Sequence, residues 1–444
     1  MVKCVGSESE KQLSESRGRL ATNVAAQYGL QVAKYVIPFL TLPYLARVLT
    51  DDGYGVRAYV LSVMTLVNSV LDFGFMTSAT KSVSEVRDDS EEVSRTVGAV
   101  LQAKVMLFAL VAIALVPISA NIPLLRENPC YVAVAFMAVS FNSFVPDFVF
   151  MGYECMSIMT VRYVASKIIG LLLTFALVRS PDDLLFVPVI DVVTSGIAVI
   201  WTFAGMRRRF GVGVKFAPLS QSWKELKGSS VVFVANFSTT LFNSYTTLVI
   251  GVVINASEVA VWSIATTVVS VAQSLYSPVF NSLYVYMVSQ LDVSYFKKVV
   301  VRGAVFSIVL SVSVAAFSYP IMWIMGGEEY LFGSYLIALV SPVISLSFFS
   351  VAFGWSMLGA FGFERDVTSS TLFAGAFTFV AVTVAGLSGI QSLVLFAGVR
   401  CASEAVLAVG RGLAVRRRRG DISEIARKAA ERRSGADGSV ERKM

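Results

Sequence analysis

Long apolar runs alternate along the chain with short polar punctuation. A hydrocarbon core of about 30 Å takes roughly 20 apolar residues per helix. Twelve stretches meet that need, near 23–48, 55–76, 94–118, 130–151, 159–179, 183–205, 229–254, 259–288, 299–324, 333–357, 368–387 and 389–410. Very short connections (TDDGYG, RSPDD, INASE, GGEEY, GLSGIQ) alternate with longer charged ones, and none is large enough for a soluble catalytic domain. Helices satisfy every backbone polar group without water, so the pattern predicts an all-α polytopic membrane protein with about 12 transmembrane helices.

The pattern repeats itself. At a shift of 205 residues, VLTDDGYGVRAYVLS (48–62) lies over VINASEVAVWSIATT (253–267), and VGAV (97–100) over RGAV (302–305). Six spans per half is an even number, so the halves are expected to share topology as parallel repeats. The expected organisation is an N-terminal segment 1–19, a first six-helix lobe 20–205, a basic linker 206–228, a second lobe 229–410 and a basic tail 411–444.

Polar side chains within spans are costly against lipid and belong on an interior or wet face. Asn23, Gln27, Gln31, Lys34, Pro38 and Thr41 form one stripe in the first span, at helical spacing. Ser62, Thr65, Ser69 and Asp72 form another in the second. The seventh carries Asn236, Thr240, Asn243 and Thr247, and the eighth Ser263, Thr266, Ser270, Gln273 and Ser277. These are the first two helices of each repeat, and a polar cavity walled by them is expected. Interhelical hydrogen bonding is the alternative use for the serines and threonines.

Composition sharpens the picture. Of 444 residues, 55% are apolar and 15% charged, with a mean hydropathy of +0.70; a soluble domain carries roughly 25% charge. Histidine is absent, which excludes Ser-His-Asp and Cys-His catalysis, histidine-bound zinc or haem and histidine proton relays. Cys4, Cys130, Cys155 and Cys401 lie far apart and read as small hydrophobes. No metal site and no cofactor are expected, and no GxxxxGK[ST] loop is present for ATP. The net charge is +7. With the N-terminus in the cytoplasm, thirty of the 37 basic residues fall on that side and four on the other, which predicts both termini inside. The run RRRR and the rest of the tail fit an anionic membrane surface; nucleic acid is not the expected partner.

Few ionisable residues lie within or beside the spans. Lys34, Arg57, Lys104 and Arg400 are candidate contacts for an anion such as pyrophosphate. Three have a competing role: an internal ion pair for Lys34, snorkelling for Arg57, and neutralisation of Arg400 by Glu404 four residues on. Gln27, Gln31, Asn236 and Asn243 are candidate contacts for sugar hydroxyls. Asp191, deep in the sixth span, is the candidate for a coupling proton or sodium ion, or for pairing with a cation.

Certain stretches look familiar. N-x-x-x-Q-Y-x-x-Q from Asn23, LTLPYLARVLTDDGYGVRAY and DFGF open the first half. VPDFVFMGYECMSIMTVRYVASK spans 145–167, and SEVAVWSIATTVVSVAQSLYSPVFNSLYVYMVS lies in the second half. Together they resemble the Wzx-type polysaccharide flippases of the multidrug/oligosaccharidyl-lipid/polysaccharide (MOP) exporter superfamily, over roughly residues 20–410. The resemblance places Pro43, Tyr44, Arg47, Gly53, Gly55, Asp72, Gly74 and Glu154 on motif positions. Lys34 and Arg57 stand where it implies uncharged residues, and Val285 where it implies proline.

That resemblance implies a MATE-like fold of two six-helix lobes and alternating access. It also implies transport of an undecaprenyl-pyrophosphate-linked oligosaccharide across the cytoplasmic membrane, for O-antigen, capsule or exopolysaccharide. Expected partners are the lipid-linked oligosaccharide, membrane lipids, a polysaccharide polymerase and a chain-length regulator. Three alternatives stay open. A drug/cation antiporter of the same superfamily would favour an acidic, aromatic cavity. A membrane polymerase or glycosyltransferase would need a large external loop or clustered carboxylates. A structural scaffold would have no use for buried charges.

Overall fold

A computed structural model describes residues 29, 34 and 36–429. Asn23, Gln27 and Gln31 lie outside the described residues. Within them the chain is a succession of helices: α1 (Val36–Val48), α2 (Thr50–Asp72), α3 (Phe75–Glu85), α4 (Ser90–Asn121), α5 (Pro123–Arg126) and α6 (Pro129–Ser143). Next come α7 (Asp147–Gly152), α8 (Met156–Leu177), α9 (Phe186–Phe210), α10 (Leu219–Val253), α11 (Ala256–Ser274) and α12 (Ser277–Gln290). The chain continues as α13 (Val293–Ala316), α14 (Ser318–Gly326), α15 (Ser334–Val340), α16 (Pro342–Phe353), α17 (Glu364–Leu387) and α18 (Leu393–Arg417), then α19 (419–429). Among the described residues, nine helical segments are long and apolar enough to cross a bilayer, or ten when the bent pair α11–α12 is one span. α1 and α10 occupy the other two apolar stretches.

The repeat reappears in the element starts. Adding 205 to the first residues of α2, α4, α6, α8 and α9 gives 255, 295, 334, 361 and 391. The observed starts of α11, α13, α15, α17 and α18 are Ala256, Val293, Ser334, Glu364 and Leu393. The irregularities repeat too. The second span of each half is broken, at Phe73–Gly74 and, with a 41° bend, after Ser274. The fourth is broken as well, between Ser143 and Asp147 in one half and by a π-helical turn at Gly354–Gly359 in the other.

Polar connectors end the spans by capping. The Asp89 carboxylate accepts from the Glu91 and Glu92 amides at 2.9 and 3.2 Å. Asn255 accepts from Glu258 N at 2.9 Å, and Ser180 with Asp183 forms a capping box. TDDGYG, which the hydrophobic pattern reads as a connection, is the first turn of α2: Thr50 takes a φ of 62° to make the turn, and Asp51 and Asp52 then sit at the helix start. Carboxylates there complement the helix dipole.

The chain divides into two compact units, one ending at Ser244 and one beginning at Tyr245, both within α10. In the first, α6 packs on α2 and α9, α8 on α9, and α3 on α7. Tyr54, Tyr59, Phe75, Phe148 and Phe150 are fully buried. In the second, α16 and α17 pack on α18 and α11 on α15, around Trp262, Tyr330 and Phe396. Large apolar side chains such as Ile113 and Ile200 cover the outside, as a lipid-facing surface requires.

The basic connection lies extended along α4, in the first unit. Lys215 N donates to Ser94 O (3.2 Å), Gly213 N to Ser94 Oγ (3.0 Å) and Ala217 N to Gln102 Oε1 (3.3 Å). Gly98 permits this close approach: a Cβ there would lie 1.7 Å from the Lys215 carbonyl oxygen.

Candidate substrate-contacting site

Lys34 is exposed, and among the described residues it makes no ion pair. Further along α1, Pro38 is exposed, and Thr41 Oγ1 donates to Ile37 O at 2.7 Å. The far end of α1 is anchored: Tyr44 OH donates to Val178 O at 2.7 Å, and its ring packs edge-on against Phe175 at 4.6 Å.

The stripe hydroxyls mostly donate to their own helices. Ser62 Oγ bonds Ala58 O (3.1 Å), Thr65 Oγ1 bonds Leu61 O (2.8 Å) and Thr240 Oγ1 bonds Asn236 O (2.9 Å). Asn243 Nδ2 donates to Thr239 O at 3.0 Å. A hydroxyl whose proton is used this way keeps its lone pairs and still accepts, so these positions can receive donors such as sugar hydroxyls. Asn236 and Asn243 are both exposed, on the α10 segment of the first unit. In the second unit some stripe groups serve packing instead. Gln273 Nε2 donates to Ser347 Oγ (2.7 Å), and Trp262 Nε1 donates to Thr247 Oγ1 (3.1 Å).

Three candidate cations differ sharply from Lys34. Lys104 is 3% exposed, donates to Ser143 O at 2.5 Å and lies 3.9 Å from the Asp72 carboxylate. It thereby joins two helix breaks. Asp72 ends α2, where Phe73 and Gly74 take φ of 48° and 77°; Ser143 ends α6, where its carbonyl needs a donor from outside the helix. The α2 break is seated on α10: Phe73 stacks on Phe233 at 4.2 Å, and a Cβ at Gly74 would meet Val232 and Phe233 at 3.0 Å. Arg400 pairs with Glu404 at 3.2 Å, and Glu404 accepts from Ser350 Oγ at 3.0 Å. Arg57 lies 5.5 Å over the Tyr54 ring.

Arg57 and Asp191 lie on α2 and α9, the two helices that pack on α6. Asp191 itself is exposed on α9. Among the family-motif residues, Arg47 is exposed, Pro43 half-buried and Gly55 buried. Glu154, with a φ of 57°, pairs with Arg87 at 3.4 Å.

Two clusters had no role assigned from sequence. Arg162 makes a two-pronged pair with Asp147 (2.6 and 2.7 Å) and donates to Thr202 Oγ1 (2.6 Å), clamping α7, α8 and α9. Arg411, counted with the tail, is buried; it donates to Ser350 O (2.6 Å) and Thr371 Oγ1 (3.0 Å). The spacing of Arg400, Glu404 and Arg411 along one helix was the available signal for the second. Asp147 and Arg162 of the first lie in the 145–167 stretch that carries the resemblance, but no helical spacing pairs them, because the members are 15 and 40 residues apart.

The comparisons agree with this architecture. The family described as "Polysaccharide biosynthesis protein" matches residues 20–290, more than half of the chain. A curated relative in Escherichia coli (strain K12), named "Putative O-antigen transporter", is 21% identical over 373 residues, covering 82% of this chain and 89% of its own. A relative of the same name in Shigella dysenteriae is 22% identical over 347 residues, covering 76% and 85%. Among solved structures, the lipid II flippase MurJ in an inward closed conformation aligns with a TM-score of 0.69 at 12% identity, over 92% of this chain and 90% of that one. An inward-facing multidrug resistance MATE transporter of the MOP superfamily aligns with a TM-score of 0.62 at 12% identity, over 88% and 99%. The chain belongs to the polysaccharide biosynthesis protein family, and its fold, with several helices long and apolar enough to cross a membrane, is shared with solved MOP superfamily transporters.

Proposed function

We propose that this protein flips an undecaprenyl-pyrophosphate-linked oligosaccharide repeat unit from the inner to the outer leaflet of the cytoplasmic membrane, by alternating access, for surface polysaccharide synthesis. The supporting relatives carry the name of O-antigen transporters, and the fold is shared with a lipid II flippase. The observation that carries the reading is the contrast among the embedded cations. Lys104, Arg162 and Arg400 are tied to carboxylates of their own unit, whereas Lys34 is exposed and makes no ion pair among the described residues. An ammonium in that position suits a pyrophosphate, and the lone pairs of Thr65, Thr240 and the Asn243 amide suit sugar hydroxyls. Arg57 is the second candidate for the phosphate, and Asp191 for a coupling proton or sodium ion. Both termini are assigned to the cytoplasm on the distribution of basic residues. A polymerase and a chain-length regulator would take up the product.

Lys34→Ala is expected to lower translocation about tenfold or more while the protein reaches the membrane at its usual level, since a charge-assisted hydrogen bond is worth about 1.5–3 kcal/mol. Lys34→Arg should retain part of the activity. The measurement is the ratio of inward- to outward-facing lipid-linked repeat units in a complemented deletion strain. Full flipping by Lys34→Ala would remove the residue from the site. A deletion strain that displays single repeat units at its surface would point to a polymerase instead.

A further inference from the structure

Between α4 and α6, within the first unit, lies an open groove of about 410 Å³. Its volume falls within the usual range of about 300–1,000 Å³ for small-molecule sites. The walls are apolar, among them Leu115, Val116, Val132 and Phe136, the last held by stacking on Phe108 at 5.1 Å. Two polar groups interrupt this lining. Ser119 Oγ is buried and has no hydrogen-bond partner among the described residues. Arg126 ends the short helix α5, just beyond the apolar run of α4, is exposed, and makes no ion pair among the described residues.

The depth of the fissure is set by the helix that forms it. From Ala112 to Ala120, both in its wall, α4 rises about 12 Å. One leaflet of hydrocarbon is about 15 Å deep, half of the 30 Å core. The fissure therefore has the length of most of one straight acyl chain. Arg126 lies at the headgroup end, with a planar guanidinium suited to a phosphate diester.

We propose that this cleft is a binding site for one bilayer phospholipid. One acyl chain lies between α4 and α6, the phosphate is held by Arg126, and a glycerol ester oxygen or ordered water at the same end satisfies Ser119. The occupant is a structural lipid, not the transported molecule: the cleft is no longer than one leaflet and is apolar, with no row of hydroxyls or amides to receive sugars. The site is independent of the transport reading, because none of its residues belongs to the polar stripes.

The test uses the full chain purified in detergent, stripped of lipid and titrated with palmitoyl-oleoyl phosphatidylethanolamine under native mass spectrometry. The wild type should retain one lipid at collision energies that remove the rest. Arg126→Gln should weaken retention about tenfold, and Arg126→Lys less. Ala133→Phe fills the cleft from α6 and should abolish retention, and Val116→Trp should do the same from α4. Melting temperatures of the lipid-free variants should match the wild type, which separates loss of the site from loss of the fold. Equal retention by the wild type and the cleft-filling variants would overturn the proposal, as would no retention by the wild type. Displacement of the bound lipid by undecaprenyl phosphate at stoichiometric concentration would also overturn it and give the cleft to the isoprenoid.

Discussion

Gly98→Ala is expected to detach the basic connection from α4 and to be among the most damaging single-methyl additions in the protein. The new Cβ would lie 1.7 Å from the carbonyl oxygen of Lys215 and 2.8 Å from its carbon, both backbone atoms that no rotamer change can move aside. Residues 211–218 must then lift away. Doing so breaks the bonds from Lys215 N and Gly213 N to Ser94 and that from Ala217 N to Gln102. At about 1 kcal/mol each, the loss is roughly 3 kcal/mol. The exposed Lys215–Glu91 pair at 3.1 Å adds little. Limited trypsin digestion reads the effect directly, because Arg207, Arg208, Arg209 and Lys215 all lie in or beside the segment. Gly98→Ala should be cut many times faster than wild type. Ser94→Ala, which removes one acceptor and adds no bulk, should cost about 1 kcal/mol and leave digestion slow. Identical digestion and melting for Gly98→Ala and wild type would show that the connection is not held by this contact.

A comparable loss is expected at Arg162. The guanidinium is buried, with its two-pronged pair to Asp147 on one side and Thr202 on the other. Arg162→Leu leaves the Asp147 carboxylate without its counter-charge, and breaking a shielded pair from one side costs about 3–5 kcal/mol. Arg162→Lys keeps the charge but not the planar fork, and should fall between. Neutralising both partners, as Arg162→Met with Asp147→Asn, should recover at least half of the loss, because no lone charge is then left inside. Melting in detergent and the yield of monodisperse protein measure the series. A double variant no better than the single one would show that the pair is not the source of the stability.

The spans and the repeat were legible because they are written in local currency: apolar length, turn residues and a common offset of 205. Arg400 and Glu404 were legible for a similar reason, being four apart on one helix. Lys104 was not. Seen in sequence it is a lone ammonium among apolar neighbours, and its partners Asp72 and Ser143 lie 32 positions before and 39 after it. Nothing in DFGF or SFNSFVPD announces that two helices stop where one lysine can reach both. The start of α2 misled for the opposite reason: TDDGYG has loop composition, yet a single left-handed residue at Thr50 makes the turn and the acids then favour the helix. Arg411 was assigned by its company, a basic tail, while its own helix turns it inward to Ser350 and Thr371.

The pairing of embedded charges also bears on what drives transport. Lys104 with Asp72, Arg162 with Asp147 and Arg400 with Glu404 each sum to zero. A neutral pair displaced through an electric field does no net work, whereas one elementary charge crossing 100 mV exchanges about 2.3 kcal/mol with it. These three pairs should therefore add little to any voltage dependence of flux; on the proposed function, Lys34 and the cargo would carry it. On that proposed function, a doubly anionic head group accompanied by one lysine would leave a net negative charge to be moved. An inside-negative cell would push that charge outward, so that the resting potential itself contributes to the direction of export.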